Sequence, residues 1–154
     1  MVNGYQVDEK FMEKAIGLAR KAADRGEVPV GAVLVQGGQV VSEAHNRREE
    51  LGDATAHAEM LVIRKACALF GSWRLHDCTL YVTLEPCPMC AGAMVQARIE
   101  RLVYGTSDPK GGAAGTLYDL VRDSRLNHRL QVTGGVLEAE CASVLQNFFR
   151  QRRK

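Results

Sequence analysis

The chain has 154 residues, 46% hydrophobic and 25% charged, with a formal net charge of +2. That is an ordinary globular composition, long enough to bury a full core as one domain spanning 1–154. No run approaches the roughly eighteen apolar residues of a membrane span, and the polar Met1–Lys10 lacks a secretory core, so the five cysteines are expected reduced in the cytoplasm.

From the amino end, Phe11, Ala15, Leu18, Ala19 and Ala22 form an apolar stripe at helical spacing, which predicts a helix over Asp8–Arg25 closed by Gly26. Val28–Val35 and Gln39–Ala44 read as strands of a hairpin turned at Gly37-Gly38. A polar loop, Arg47–Asp53, leads to a helix over Ala56–Phe70, with Thr55 as the expected cap. Thr79–Leu84 is a strand, and Pro86 and Pro88 mark the start of a helix reaching Ala97. Arg101–Tyr104 is the next strand, followed by a glycine-rich loop, Ser107–Gly115, and a short helix over Thr116–Val121. Leu130–Thr133 supplies a fifth strand and Glu138–Arg150 a terminal helix. Strands alternating with helices predict a three-layer α/β/α sandwich around a five-stranded mixed sheet, its first two strands antiparallel. From Arg122 to Lys154 seven basic residues face three acidic ones, which suits a phosphate-binding end or a solvated tail.

Two of these predicted helix starts carry the chemistry. His57-Ala58-Glu59 stands at one, and Cys87 and Cys90 of Pro-Cys-Pro-Met-Cys stand at the other. Cysteines three apart share a helix face and can converge on one ion, where the helix dipole favours their thiolates. His57 and Glu59 lie about 200° apart on an ideal helix, so both reach one point only from its first turn. Mixed imidazole and thiolate donors suit Zn²⁺. Three ligands with a nearby carboxylate match a catalytic zinc that keeps a position open, rather than a closed structural site. Cys67, Cys78 and Cys141 fall too far along their elements to close it, and His45 is the nearest rival ligand. A thioredoxin-like pair would leave His57 and Glu59 unexplained, and a zinc ribbon needs a second CxxC. Zinc acidifies bound water to a pKa of about 7, and a carboxylate beside it can take the proton, so hydrolytic attack on an electrophilic carbon follows.

HAE together with PCPMC resembles the zinc nucleoside and nucleobase deaminases. Further segments, among them GEVPVGAVLV, His45-Asn46, WRL, SDPKGGAAGTL, Asn127–Arg129 and Phe148–Arg150, are similar to the bacterial tRNA adenosine deaminases from the first helix to the last. The resemblance implies a cytidine-deaminase-like fold and one Zn²⁺ per subunit on His57, Cys87 and Cys90. It implies attack of zinc hydroxide on C6 of a wobble adenosine in an arginine tRNA, with Glu59 as proton shuttle and inosine as product. Asn46 matches a residue that hydrogen-bonds the base, or else caps its loop. Val28 and Pro29 match a pocket wall, and the backbone near Ala58 and Cys87 could hold the base or developing charge. Asp108 and Lys110 match a loop meeting flanking nucleotides, although Asp-Pro-Lys-Gly is also a good turn. Asn127 and His128 are carried over as substrate contacts, Phe149 as a stacking ring, and Arg150, Arg152 and Arg153 as phosphate contacts. The expected partners are a tRNA anticodon stem-loop and a second copy of the chain, with no membrane. The rivals are a free-base deaminase acting on guanine or cytosine and an inactive zinc-stabilised RNA-binding module.

Overall fold

The computed structural model describes residues 3–152. The predicted phosphate contact Arg153 lies outside them. Helix α1 (Gly4–Asp24) starts earlier than its apolar stripe indicates. Asn3 and Gln6 form a capping box there, the Asn3 side chain accepting the Gln6 amide at 2.9 Å and the Gln6 side chain accepting the Asn3 amide at 3.3 Å.

Strands β1 (Gly31–Gln36) and β2 (Gln39–His45) make the expected hairpin. β1 begins three residues after Val28 because the Val30 amide donates to the Val28 carbonyl at 2.9 Å, a tight turn centred on Pro29. A single-turn helix, α2 (Arg48–Leu51), lies within the predicted loop. Its amides at Glu49 and Glu50 donate to the buried Glu27 carboxylate at 3.0 and 2.7 Å, a tertiary cap with no local signature. Helix α3 (Ala58–Phe70), strand β3 (Cys78–Leu84), helix α4 (Pro88–Gln96), strand β4 (Arg101–Thr106), strand β5 (Gln131–Thr133) and helix α5 (Glu138–Arg152) complete the order.

The predicted helix over Thr116–Val121 does not form. That segment is a loop bridged between Ala114 and Asp119, with Gly115 at φ +130. The Ala114 and Thr116 amides donate to the Glu85 carboxylate, a fixed tertiary acceptor that holds the backbone in its loop course.

The sheet runs β2-β1-β3-β4-β5, antiparallel where β1 meets β2 and β3, parallel from β3 to β5. Side chains alternate between its faces as strand geometry requires. Ala32, Leu34, Leu80, Val82 and Leu102 pack toward α3 and α4. Val33, Val35, Tyr81 and Val103 pack toward α1 and α5. This is the three-layer sandwich the sequence predicts. Gly31 lets α1 sit directly on β1, since a Cβ there would lie 2.0 Å from the Ala15 carbonyl oxygen. On the same face Asp8, 4% exposed, accepts the Tyr81 hydroxyl at 2.8 Å and a bidentate Arg101 guanidinium at 2.9 and 2.6 Å. On the other face, α3 and α4 bring their amino ends to the carboxyl end of β3, and there the two motifs meet.

Candidate active site

His57 is itself the cap residue of α3, in extended backbone at φ −70 and ψ 151, and Cys87 holds the same place on α4 at φ −74 and ψ 172. Thr55, the expected cap, is instead turned onto Asp53, which accepts both its amide and its hydroxyl at 2.8 Å. Because His57 precedes the helix and Glu59 sits in its first turn, the angular separation of an ideal helix does not keep them apart. Pro88 follows Cys87 at the first helical position, where its missing N–H costs nothing.

His57 Nδ1 lies 3.6 Å from Cys87 Sγ and 3.4 Å from Cys90 Sγ, and the three ligand atoms fall within 4.8 Å of one another. Tetrahedral zinc with ordinary Zn–S and Zn–N bonds separates such atoms by about 3.6 Å, so the donor set fits that ion. Among the described residues this is the single group of three or more such side chains placed to hold a metal; His45, Cys67, Cys78 and Cys141 are not part of it. The His45 ring instead meets the Asn46 carbonyl at 3.0 Å.

The electrostatics favour a cation. A hydrogen bond from Cys90 drives the Cys87 thiol down to about 4 against the opposing effect of burial, with His57 assisting. The same bond, with burial, pushes Cys90 far up. The pair holds one negative charge readily and resists a second, which a cation between the two sulfurs would stabilise.

Two buried glutamates border the cluster in contrasting surroundings. Glu59, 4% exposed, is pushed up to about 7, chiefly by burial. Burial also pushes Glu85 up, but hydrogen bonds from Thr116, Asp108 and Ala114 outweigh it and hold its carboxyl below the ordinary value. Carboxyls separated in this way divide the labour: Glu59 can exchange a proton near neutrality, whereas Glu85 stays ionised.

A cavity of about 190 Å³ opens onto the cluster. Of the residues expected around it, Val28, Asn46, Ala58 and Asp108 line it together with His57, Glu59 and Cys87. Pro29 is buried, does not line the cavity, and centres the turn after Val28. Sequence reasoning missed Val30, Arg48, Leu84 and Glu85, which complete the lining. The local signal for Glu85 was an acid between an apolar strand and a proline.

Asn46, 6% exposed, donates to the Val28 carbonyl at 3.1 Å and accepts the Arg48 amide at 3.2 Å. It therefore fixes the wall, and keeps one N–H and one oxygen lone pair for another partner.

Beyond the cavity, wider clefts radiate over α5. One of about 470 Å³ is lined in part by Asp108, Lys110 and Phe149, and a neighbour by Pro109, Phe149 and Arg150. Phe149 is 44% exposed while Phe148 is 8% exposed, as two adjacent aromatics on one helix should divide. Arg152 folds back, its guanidinium donating to the Gly26 carbonyl at 2.8 Å and lying 4.5 Å from the Phe148 ring centre. Asn127 and His128 are not brought to the cavity of their own chain. The His128 ring bonds the Ile99 carbonyl at 2.6 Å, before the opening end of β4. The cavity lies past its closing end, roughly 20 Å along the strand.

This architecture has relatives. A family model for MafB19-like deaminases matches residues 6–153. A tRNA-specific adenosine deaminase of Bacillus subtilis strain 168 is 56% identical over 96% of this chain and 91% of its own. A structure from a study of A-to-I editing by tRNA:A34 deaminases at the wobble position of transfer RNA superposes with a TM-score of 0.85. It is 50% identical and covers 88% of this chain and 99% of its own. A guanine deaminase from Bacillus subtilis is 38% identical with a TM-score of 0.64, covering 75% of this chain and 71% of its own. Both the family model and the near-complete match place the chain among the MafB19-like deaminases, as a member of the tRNA-specific adenosine deaminase family.

Proposed function

We propose that the chain acts as a single zinc-dependent deaminase domain on the anticodon stem-loop of tRNA, converting the wobble adenosine of an arginine tRNA to inosine in the cytoplasm. The observation that carries the chemistry is the His57, Cys87 and Cys90 triangle beside buried Glu59 in a cavity that suits one base. At about 190 Å³ that cavity is smaller than the roughly 300–1,000 Å³ typical of pockets for drug-sized ligands. A base must leave its stack to enter, which a single-stranded loop permits at modest cost.

Zinc held by His57, Cys87 and Cys90 would supply an acidified water for hydrolysis at C6. Glu59 takes one proton from the nucleophilic water and delivers it to N1 of the adenine. It then takes the proton of the hydroxyl added at C6 and delivers it to the amine, which leaves as ammonia while C6 keeps the oxygen as a carbonyl. Its burial keeps the proton affinity near neutrality, where both transfers are feasible. Asn46 offers its remaining N–H and lone pair to the base edge, and Val28 packs against the ring. Amides at the amino ends of α3 and α4, near Ala58 and Cys87, would meet the base or the developing charge.

Outside the cavity, Asp108 and Lys110 meet flanking nucleotides, Phe149 stacks on one, and Arg150, Arg152 and Arg153 contact phosphates. Arg152 would first have to release Gly26. Asn127 and His128 lie away from their own cavity, so a role for them fits a homodimer in which RNA contacts come from both copies.

The substrate from which ammonia is released separates this reading from free-base chemistry. Zinc-loaded protein should deaminate a stem-loop carrying a wobble adenosine and leave free guanine and cytosine untouched. Turnover of a free base, with an inert stem-loop, would overturn the RNA reading while leaving the deaminase chemistry intact.

A further inference from the structure

Glu59 carries the proton transfers; Glu85, the second buried glutamate beside the cluster, has no such task. At 2% exposure, Glu85 accepts hydrogen bonds on both oxygens. Oε1 takes the Asp108 amide at 3.0 Å and the Thr116 hydroxyl. Oε2 takes the Ala114 amide at 3.0 Å and the Thr116 amide at 3.1 Å. The backbone adds two more ties: the Glu85 amide donates to the Thr106 carbonyl at 2.9 Å, and the Ala113 amide to the Pro86 carbonyl at 2.8 Å. Gly112 passes so close that a Cβ there would lie 2.5 Å from the carboxylate. The segment from Asp108 to Thr116 is thus wound around a side chain two residues before Cys87.

Only a carboxylate meets this demand. Four donors converge on two oxygens, and a glutamine of the same shape would turn its NH₂ toward two of them. An apolar replacement would leave buried amides unpaired. With each oxygen already accepting two bonds, the group is poorly placed to serve as a base. Its anchored loop nevertheless carries Asp108, which lines the cavity, and Asp108 Oδ1 in turn accepts the Lys110 and Gly111 amides at 3.0 and 3.2 Å.

We propose that Glu85 is a positioning residue, holding the Asp108–Thr116 loop in register with the start of α4 so that the nucleotide-facing wall and the metal ligands keep one alignment. The proposal rests on the reading of the site as an RNA deaminase and adds to it the element that couples substrate grip to the reacting centre. Its signature is a split between KM and kcat, because a displaced wall weakens binding of ground state and transition state alike.

The test compares wild type, Glu85→Gln and Thr116→Val as zinc-loaded proteins on an anticodon stem-loop with a wobble adenosine. Hydrogen exchange at the Asp108, Ala114 and Thr116 amides is measured alongside, with Val82 in β3 as the internal reference. Glu85→Gln should keep its zinc and its kcat within about threefold, raise KM by about tenfold or more, and speed exchange at the three loop amides by a similar factor. Thr116→Val, which deletes only the hydroxyl donor, should move KM the same way by about threefold. Unchanged KM and exchange in Glu85→Gln would overturn the proposal, as would loss of zinc or kcat at constant KM. Should Glu85→Gln fail to fold, Thr116→Val decides, and unchanged KM with unchanged loop exchange overturns it. An inert wild type would refute the substrate reading alone, and loop exchange would still decide whether Glu85 anchors the wall.

Discussion

Phe148 and Phe149 share one chemistry and one helix, yet face opposite environments, which makes them an internal control for the proposed RNA-facing surface. Phe149 is 44% exposed and borders clefts on both sides of α5. Replacing it with alanine removes a stacking platform worth about 1–3 kcal/mol per base. At about 1.4 kcal/mol per decade, that weakens stem-loop binding by roughly 5- to 150-fold. The fold should hardly notice, with Tm moving by no more than about 2 °C, as for an exposed surface position. Phe148 is 8% exposed, its ring 5.4 Å from that of Phe149 and under the Arg152 guanidinium. It sits at the rim of the core, so Phe148→Ala should cost about 3 kcal/mol, the low end for a buried phenylalanine. For a chain of this size that lowers Tm by roughly 6–12 °C. Both variants are best made in a Glu59→Ala background, which leaves the RNA intact. Anisotropy of a labelled stem-loop then gives Kd, and calorimetry gives Tm. An unchanged Kd in Phe149→Ala, or a Tm drop equal to that of Phe148→Ala, would refute the assignment of the two faces.

Asp8→Ala should destabilise the chain by about 3 kcal/mol in urea unfolding, because it strands the partly buried Arg101 guanidinium and the Tyr81 hydroxyl, without changing zinc content. Dialysis against a chelator should abolish deamination, and zinc alone should restore it; Cys87→Ala should bind no stoichiometric zinc by elemental analysis. Burial raises the thiols of Cys78 to about 11 and Cys141 to about 12, from an ordinary 9.0. The native state therefore keeps these protons after the unfolded chain has released them, so stability falls as pH rises above about 9. In Tm profiles from pH 8 to 11, a Cys78→Ala, Cys141→Ala double variant should show a shallower decline than wild type; an equal decline would contradict the buried-thiol account.

The meeting of His57, Cys87 and Cys90 and the sheet were legible because both depend on short-range patterns. Motif spacing placed His57, Cys87 and Cys90 at helix starts, and short apolar runs between turn residues marked the strands, whose two-residue period sends Leu34 and Val33, and Leu80 and Tyr81, to opposite faces. What the sequence concealed depends on partners distant along the chain. Thr116–Val121 carries helix-compatible residues, but amides in and before it bond to Glu85, about thirty positions earlier. Helix α2 forms on Glu27, more than twenty positions away. Arg152 reads as a free basic tail residue until α5 is seen to end against Gly26. Asn127 and His128 adjoin β5 in the chain, and the parallel pairing of β5 with β4 carries them to the far end of the sheet.

The measurement that bears most directly on the central claim is the identity of the base left at the wobble position. An anticodon stem-loop with a wobble adenosine is incubated with zinc-loaded protein, digested to nucleosides and analysed by mass spectrometry, with Glu59→Ala in parallel. The account predicts inosine at that position alone, and none from Glu59→Ala despite bound zinc and bound RNA. Adenosine left intact by zinc-loaded wild type, or inosine made equally well by Glu59→Ala, would contradict it.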